Sequence, residues 1–579
     1  MISALIEESK SIISFLVIQP ISELWGDLRA RLFLGGHATV GRQLSRIKNR
    51  SSSGDSVAAG ALVGPQQHIV FAPVWGFSEK VIADEAVLAM ALRLRGHKVS
   101  VLRCGQALPA CLWNVFGNRS LSTAGFSHRV SSAGRTAECR RCDELHSRAW
   151  PHTGVNTLSL LEYSDPVALE SAEDFVNSVY EGFETDVHYK GVNIREHAYA
   201  STLRKLTRGT LEYDAWSTFL FKRFMIAAVV YIDALEILIS EQKPDVFVCV
   251  HGIYLEHGVL ADYAKLKGVR VVVHGTPYRK NTMWLSHDDT YHRTLVTESN
   301  ARWENIVLDE NMSNAVHDYL SSKISGGREN VNFNPAPILD SQAMFDEMQL
   351  NPEKPTVALF TNTLWDAQVV YKSNAFEDML DWLFATIDFF CSQSKVQLAV
   401  RIHPAESKAG FTTSQPIIEE IRKRYTRIPE HVAIVGPDSD ISSVLLSDES
   451  VASVIYGTKL GVELAYRKNI VICAGESICR GKGFTIDVET AREYFEVLAN
   501  IETLTVNLER FAERAKKYAY HLFFNRMMDF TPVTVTDEMM NRRLTINIKE
   551  EAELGDGKIS EIDTICSGIL YGTPFETFQ

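Results

Sequence analysis

Two apolar runs, Val451 to Ile455 and Ile470 to Cys473, enclose the stretch Tyr456-Gly457-Thr458-Lys459-Leu460-Gly461-Val462-Glu463-Leu464-Ala465-Tyr466-Arg467-Lys468-Asn469. Runs this short and this apolar read as parallel strands buried on both faces, and the stretch between them as a tight turn opening a short helix. Parallel strands need such a crossover, so the pattern commits this region to α/β layering. The turn gathers unpaired backbone N–H groups and a positive dipole end at one spot, which suits a phosphate. Thr458 is placed to donate to that phosphate. Glu463, about one helical turn in, is placed to take two ribose hydroxyls. The competing reading is an ordinary crossover with a helix-capping threonine.

Upstream, Val396-Gln397-Leu398-Ala399-Val400-Arg401-Ile402-His403-Pro404-Ala405-Glu406 is a strand ending in Arg-x-His-Pro. Pro404 stops the ladder, and Arg401 and His403 arrive at the carboxyl end of a strand, where open α/β sheets bind ligands. This motif and the Gly-Thr turn follow one another in the order of neighbouring strands of one domain. The pair resembles the donor half of bacterial capsule polysaccharide biosynthesis proteins, GT-B glycosyltransferases that include Kdo transferases and are related in pattern to GT-B sialyltransferases. The resemblance implies a nucleotide-sugar donor held by Arg401, His403, Pro404, Gly457, Thr458, Lys459 and Glu463, with Asn362, Trp365 and Asp366 at the end of the domain's first strand. It also implies a surface polysaccharide or lipid-linked glycan as acceptor. This chain has Gly457-Thr458 where such proteins often carry Ser-Ser or Ser-Thr. The departing phosphate would be met by the helix dipole and Arg401, so no catalytic metal is expected.

On the acceptor side, the strand Arg270 to Val273 runs into His274-Gly275-Thr276-Pro277-Tyr278-Arg279-Lys280. An imidazole at a strand's carboxyl end can take a proton from an attacking hydroxyl. His-Gly-Thr-Pro with a nearby Lys also resembles the teichoic-acid glycerophosphotransferases, in which that His is the catalytic base, and which likewise carry Arg-x-His-Pro in the second half. This makes a CDP-polyol phosphotransferase the alternative function, and a non-catalytic nucleotide- or sugar-binding protein the third. Asp288 and Asp289, in Ser286-His287-Asp288-Asp289-Thr290-Tyr291-His292-Arg293, are candidates to orient the base. His251 and His257 flank a turn at Gly252, with core histidines as the favoured reading. Lys482, Gly483 and Phe484 either cover the nucleotide or form a simple loop.

The sequence divides into an N-terminal helix and flexible linker (1–67), a Rossmann-like acceptor domain with a helical insertion (68–322), a linker (323–354), a Rossmann-like nucleotide-sugar domain (355–530) and a C-terminal tail (531–579). The fold class is therefore α/β and GT-B-like, two Rossmann-like domains facing a central cleft, with an N-terminal helical extension. The aromatic-rich helix near 507–528 is expected to cross back to the first domain. A net charge of −13 argues against a nucleic-acid partner. The longest apolar window, Ile12 to Ile21, is too short for a membrane span and follows Glu7 and Glu8, unlike a signal peptide. A cytoplasmic protein is expected, its N-terminal helix packing on the protein or resting on the inner face of the membrane.

Nine cysteines are present. Cys249, Cys391, Cys473, Cys479 and Cys566 are scattered and read as core hydrophobes of a reducing compartment. Cys104, Cys111, Cys139 and Cys142 are clustered, the last two as a Cys-x2-Cys knuckle. Four thiolates can close a structural zinc site, with an iron–sulfur cluster as the alternative.

Overall fold

The structure is a computed structural model, and it describes residues 39–47, 64–76, 78–114, 137–165, 167–325, 328–329, 337–366, 371–408, 413–536 and 543–577. The apolar stretch Ile12 to Ile21 lies outside the described residues. Among those described, no helix is long and apolar enough to cross a membrane.

Six strands of the first domain are β1 (His68–Val74), β2 (Lys98–Arg103), β3 (Asn156–Ser159), β4 (Val246–Val250), β5 (Arg270–Gly275) and β6 (Thr282–His287). Their order is β6-β5-β4-β1-β2-β3, parallel throughout except for β6, which pairs antiparallel with β5. Every residue of β1 and β4 is buried, as a sheet covered on both faces requires. One face packs on the helix Glu79–Leu94, capped by Ser78 and ended at Gly96 with φ +84°. The other packs on the helices Ala215–Gln242 and Leu255–Leu266. The first of these belongs to the expected insertion; sixteen of its residues are buried.

The second sheet holds β7 (Thr356–Phe360), β8 (Gln397–Arg401), β9 (Val432–Val435), β10 (Ala452–Ile455), β11 (Val471–Cys473) and β12 (Ile486–Asp487), in the order β9-β8-β7-β10-β11-β12 and all parallel. The two Rossmann-like sheets expected from the sequence are therefore present, and each reverses its strand order beside its first strand.

After β12 the chain crosses back. The helix Leu508–Tyr520 runs into a wider π-helical turn, His521–Arg526, and then into β13 (Met528–Asp529), which pairs antiparallel with β6 as the seventh strand of the first sheet. The crossing is fixed by a buried ionic cluster. Glu298, just after the helix Tyr291–Thr297, accepts from His521 Nε2 at 3.1 Å and faces Arg526 Nε at 3.4 Å, with all three side chains at most 5% exposed. Burial alone would push the Glu298 carboxyl up, yet these two partners hold it below its usual value.

Three boundaries differ from expectation. The flexible linker within 1–67, expected over 41–67, overlaps a helix, Thr39–Leu44, that buries Val40 and Leu44 against the first domain. The 323–354 linker contains the helix Ser341–Met348, which buries Met344, Phe345 and Met348 in the second domain. The tail is not a tail: the hairpin of β14 (Val533–Thr536) and β15 (Arg543–Ile546) and the helix Ser560–Tyr571 complete one hydrophobic layer of the first domain. Ile565→Ala, at a fully buried position of that helix, should cost about 2–4 kcal/mol, read as a lower urea midpoint. A wild-type midpoint in that variant would return 531–579 to the status of a tail.

Candidate functional site

Open α/β sheets bind ligands beyond the carboxyl ends of their strands, where the strand order reverses. In the second sheet that point lies between β7 and β10. Asn362, just past β7, donates from Nδ2 to the Gly457 carbonyl past β10 at 2.8 Å, joining the two strand ends. Next to it, the Thr361 hydroxyl accepts from the His403 N–H at 3.0 Å. His403 Nδ1 accepts from the Ala405 N–H at 3.1 Å as Pro404 opens a single 3₁₀ turn, which leaves the ring proton on Nε2. Thr458 Oγ1 accepts from the Leu460 N–H at 3.3 Å in the turn before the seven-residue helix Leu460–Tyr466, whose N-cap is Lys459. The Lys459 ammonium reaches Glu463 at 2.9 Å and Glu329 at 3.2 Å, and stands 4.8 Å from the centroid of the Tyr278 ring, which follows β5 in the first domain.

Several expected site residues are turned away from this cleft. Arg401 is 2% exposed, and its guanidinium donates to the carbonyls of Ile402, Gly436 and Ser439, so it pins the edge strand β9 and offers nothing to a phosphate. Glu463 is 7% exposed and holds Lys459, which takes it away from a ribose. His274 is not an open base. It shares the face of β5 occupied by Val272, is 2% exposed, and pairs through Nε2 with the fully buried Glu85 at 2.8 Å. Asp288 and Asp289 do not orient it. Asp288 accepts from the Val271 N–H, while Asp289 accepts from the Thr290 N–H and faces Arg293, so the two carboxylates shape the turn into the helix Tyr291–Thr297. Lys482 clamps the carbonyls of Val296 and Glu298 across the domains instead of covering a nucleotide.

What the cleft does contain is a carboxylate among rings from both domains. Asp366, exposed beyond β7, faces Arg204 of the first domain at 3.7 Å, and that guanidinium lies 4.4 Å from the Trp365 ring centroid. Its field reaches Tyr254, Tyr278, Tyr291, His292, Tyr371 and His403. His292 Nδ1 meets the Tyr371 hydroxyl at 3.1 Å, a second bond between the domains. His251, in left-handed backbone at φ +55°, contacts the Tyr291 hydroxyl through Nδ1. Tyr278 and Tyr291 lie inside the stretches His274 to Lys280 after β5 and Ser286 to Arg293 beyond β6 but drew no role there, and Tyr371 lies in no motif.

The sequence does carry an Asp-x-Asp triplet, Asp438-Ser439-Asp440, where none was expected and a metal-dependent GT-A mechanism was disfavoured on that ground. The triplet lies beyond β9 with both carboxylates exposed. The Ser439 carbonyl there takes the Arg401 bond and the Asp440 carbonyl takes the Ile338 N–H.

The four clustered cysteines meet at one pocket beyond the ends of β1 and β2, together with Trp75, His146 and Glu256. Burial raises the thiols, Cys104 to about 11 and Cys142 to about 12, and raises Glu256 to about 7.

No known protein family matches the chain, and no curated protein matches it. Similar solved structures include a β-Kdo 2,4-transferase, KpsC of Thermosulfurimonas dismutans, at 10% identity and a TM-score of 0.34, over 53% of this chain and 86% of that one. The calicheamicin glycosyltransferase CalG4 is 12% identical with a TM-score of 0.24, over 78% of this chain and 94% of that one. UDP-GlcNAc 2-epimerase from Neisseria meningitidis, bound to UDP-GlcNAc, is 9% identical with a TM-score of 0.23, over 79% and 96%. Likenesses this weak assign no chemistry, and the architecture rests on the strand order itself.

Burial holds the cleft imidazoles neutral: His292 and His403 fall to about 4 and His251 falls well below its ordinary value. An unfolded histidine titrates near about 6.5, so between about pH 6.5 and 4 these three rings bind more protons in the unfolded chain and their contribution to stability falls as pH drops. His292→Gln and His403→Gln should each flatten that decline in urea unfolding measured across the window. An unchanged slope in both would mean that these rings already charge freely in the folded protein.

Proposed function

We propose that the protein is a glycosyltransferase that moves a sugar from a nucleotide-sugar donor to a glycan acceptor, of the surface-polysaccharide or lipid-linked kind, on the cytoplasmic side of the membrane. The observation that carries this reading is Asp366, a carboxylate set between the carboxyl ends of two parallel sheets and within reach of groups from both. In the proposed reaction the acceptor hydroxyl attacks the anomeric carbon and passes its proton to Asp366. The bond from that carbon to the donor phosphate breaks, and the phosphate leaves with the bonding pair. His403, through its Nε2 proton, and Lys459 receive the charge that develops on it. Arg204 stands beside Asp366 at 3.7 Å and orients it for this role. Binding at the switch point spanned by Asn362 and Gly457 places the nucleotide where sheets of this order take such ligands.

Base and phosphate ligands should separate experimentally, because a proton acceptor contributes to the transition state and a phosphate ligand also to the ground state. Asp366→Asn should lose at least about a hundredfold in turnover while keeping nucleotide affinity within about threefold. His403→Ala should weaken nucleotide binding by about 1–2 kcal/mol in calorimetric titration. A fully active Asp366→Asn protein removes the proposed base. Titration of the wild type with CMP, UDP, GDP and CDP-glycerol separates sugar transfer from polyol-phosphate transfer, which tight binding of CDP-glycerol alone would favour.

A further inference from the structure

We propose that Cys104, Cys111, Cys139 and Cys142 bind an iron–sulfur cluster in the first domain. The inference does not rest on the glycosyl-transfer reading. Three separate stretches of chain deliver the thiols to one pocket: Cys104 just past β2, Cys111 on the loop beyond it, and Cys139 with Cys142 one turn apart on the helix Ala137–Ala149. Iron–sulfur clusters are held by four cysteine thiolates, the number that line this pocket.

The pocket wall supplies donors that a bare cation would leave unsatisfied. Trp75 Nε1 and His146 Nε2 are buried with no hydrogen-bond partner. His146 Nδ1 accepts from the Trp150 indole at 3.0 Å, so its own proton sits on Nε2. Inorganic sulfide and thiolate sulfur accept such N–H groups, and hydrogen bonds to sulfur are a standing feature of cluster sites. Three already point at the thiols: the Gly76 N–H to Cys142 Sγ at 3.0 Å, the Asn114 N–H to Cys111 Sγ at 3.3 Å and Asn114 Nδ2 to Cys139 Sγ at 3.4 Å. The backbone at the rim is strained as well. Val74, a β-branched residue, sits at φ +58° and Gln106 at φ +68°, and both line the pocket. Left-handed backbone at a β-branched residue persists only where the surroundings impose it. Gly76 admits no side chain here, since a Cβ would come within 2.8 Å of the Cys142 carbonyl oxygen. On ligation each thiol releases its proton to solvent as its sulfur bonds an iron of a preformed cluster. No change of oxidation state is required.

The full chain, purified without oxygen, should carry iron and acid-labile sulfide in equal amounts, about two or four of each. It should also show the broad sulfur-to-iron charge-transfer absorption in the visible. Cys139→Ser should lose most of that absorption, whereas Cys391→Ser, half-buried in the second domain, should keep it. If Cys139→Ser does not fold, Trp75→Phe removes one donor without removing a ligand, and should retain the cluster at a more negative reduction potential. About one zinc per chain with no labile sulfide would overturn the proposal. So would an anaerobically reconstituted wild-type chain without iron whose four thiols all react with a thiol reagent.

Discussion

The relation between the two sheets hangs on Glu298. A carboxylate this deeply buried is costly unless its charge is matched, and the two groups that match it, His521 and Arg526, both arrive on the π-helical turn that brings the chain back to the first domain. Removing either partner leaves the buried carboxylate less well matched, a larger loss than the pair itself contributes. Lys482 adds a second clamp from the loop beyond β11 to the same segment. The ring and carboxylate groups of the cleft come from strands far apart in sequence. They meet only because this flank of the molecule is fixed.

The opposite flank is held differently. There His292 meets Tyr371, Arg204 faces Asp366, and the segment Leu206 to Thr210 is bonded to Thr413, Ser414 and Gln415 through both backbone and side chains. Several of these contacts are partly exposed. One flank is thus a buried ionic seam and the other a network of polar bonds nearer the surface.

Much of this architecture could be read from the chain. Short apolar runs marked β1, β2, β4, β5 and β7 to β11, whereas β3, β6, β12, β13 and the order of the strands in each sheet were not legible. Cys139 and Cys142 line one pocket with Cys104 and Cys111, and the aromatic-rich helix near 508–520 does cross back. Side-chain direction was not legible. A parallel sheet is covered on both faces, so neither face is marked polar, and a His or Arg at a strand end can turn toward a helix layer as readily as toward the cleft. His274 turned to Glu85 on the helix Glu79–Leu94, and Arg401 turned to the carbonyls beyond β9. Their partners lie far off in sequence, which no local motif records. The same holds for 39–47 and 543–577. Their apolar residues look sparse in sequence and become core only against a layer built elsewhere.

The two-residue strand β13 does more than end the crossing. It lies along β6, the outer strand on that side of the first sheet. An uncovered outer strand presents a row of unpaired N–H and C=O groups, a template on which another chain can add itself. By laying Met528 and Asp529 on Thr282 and Met283, the returning chain occupies that template with its own backbone. The segment that shields the first domain from self-association therefore follows the whole second domain in the chain. Until it arrives, the nascent sheet carries an open margin.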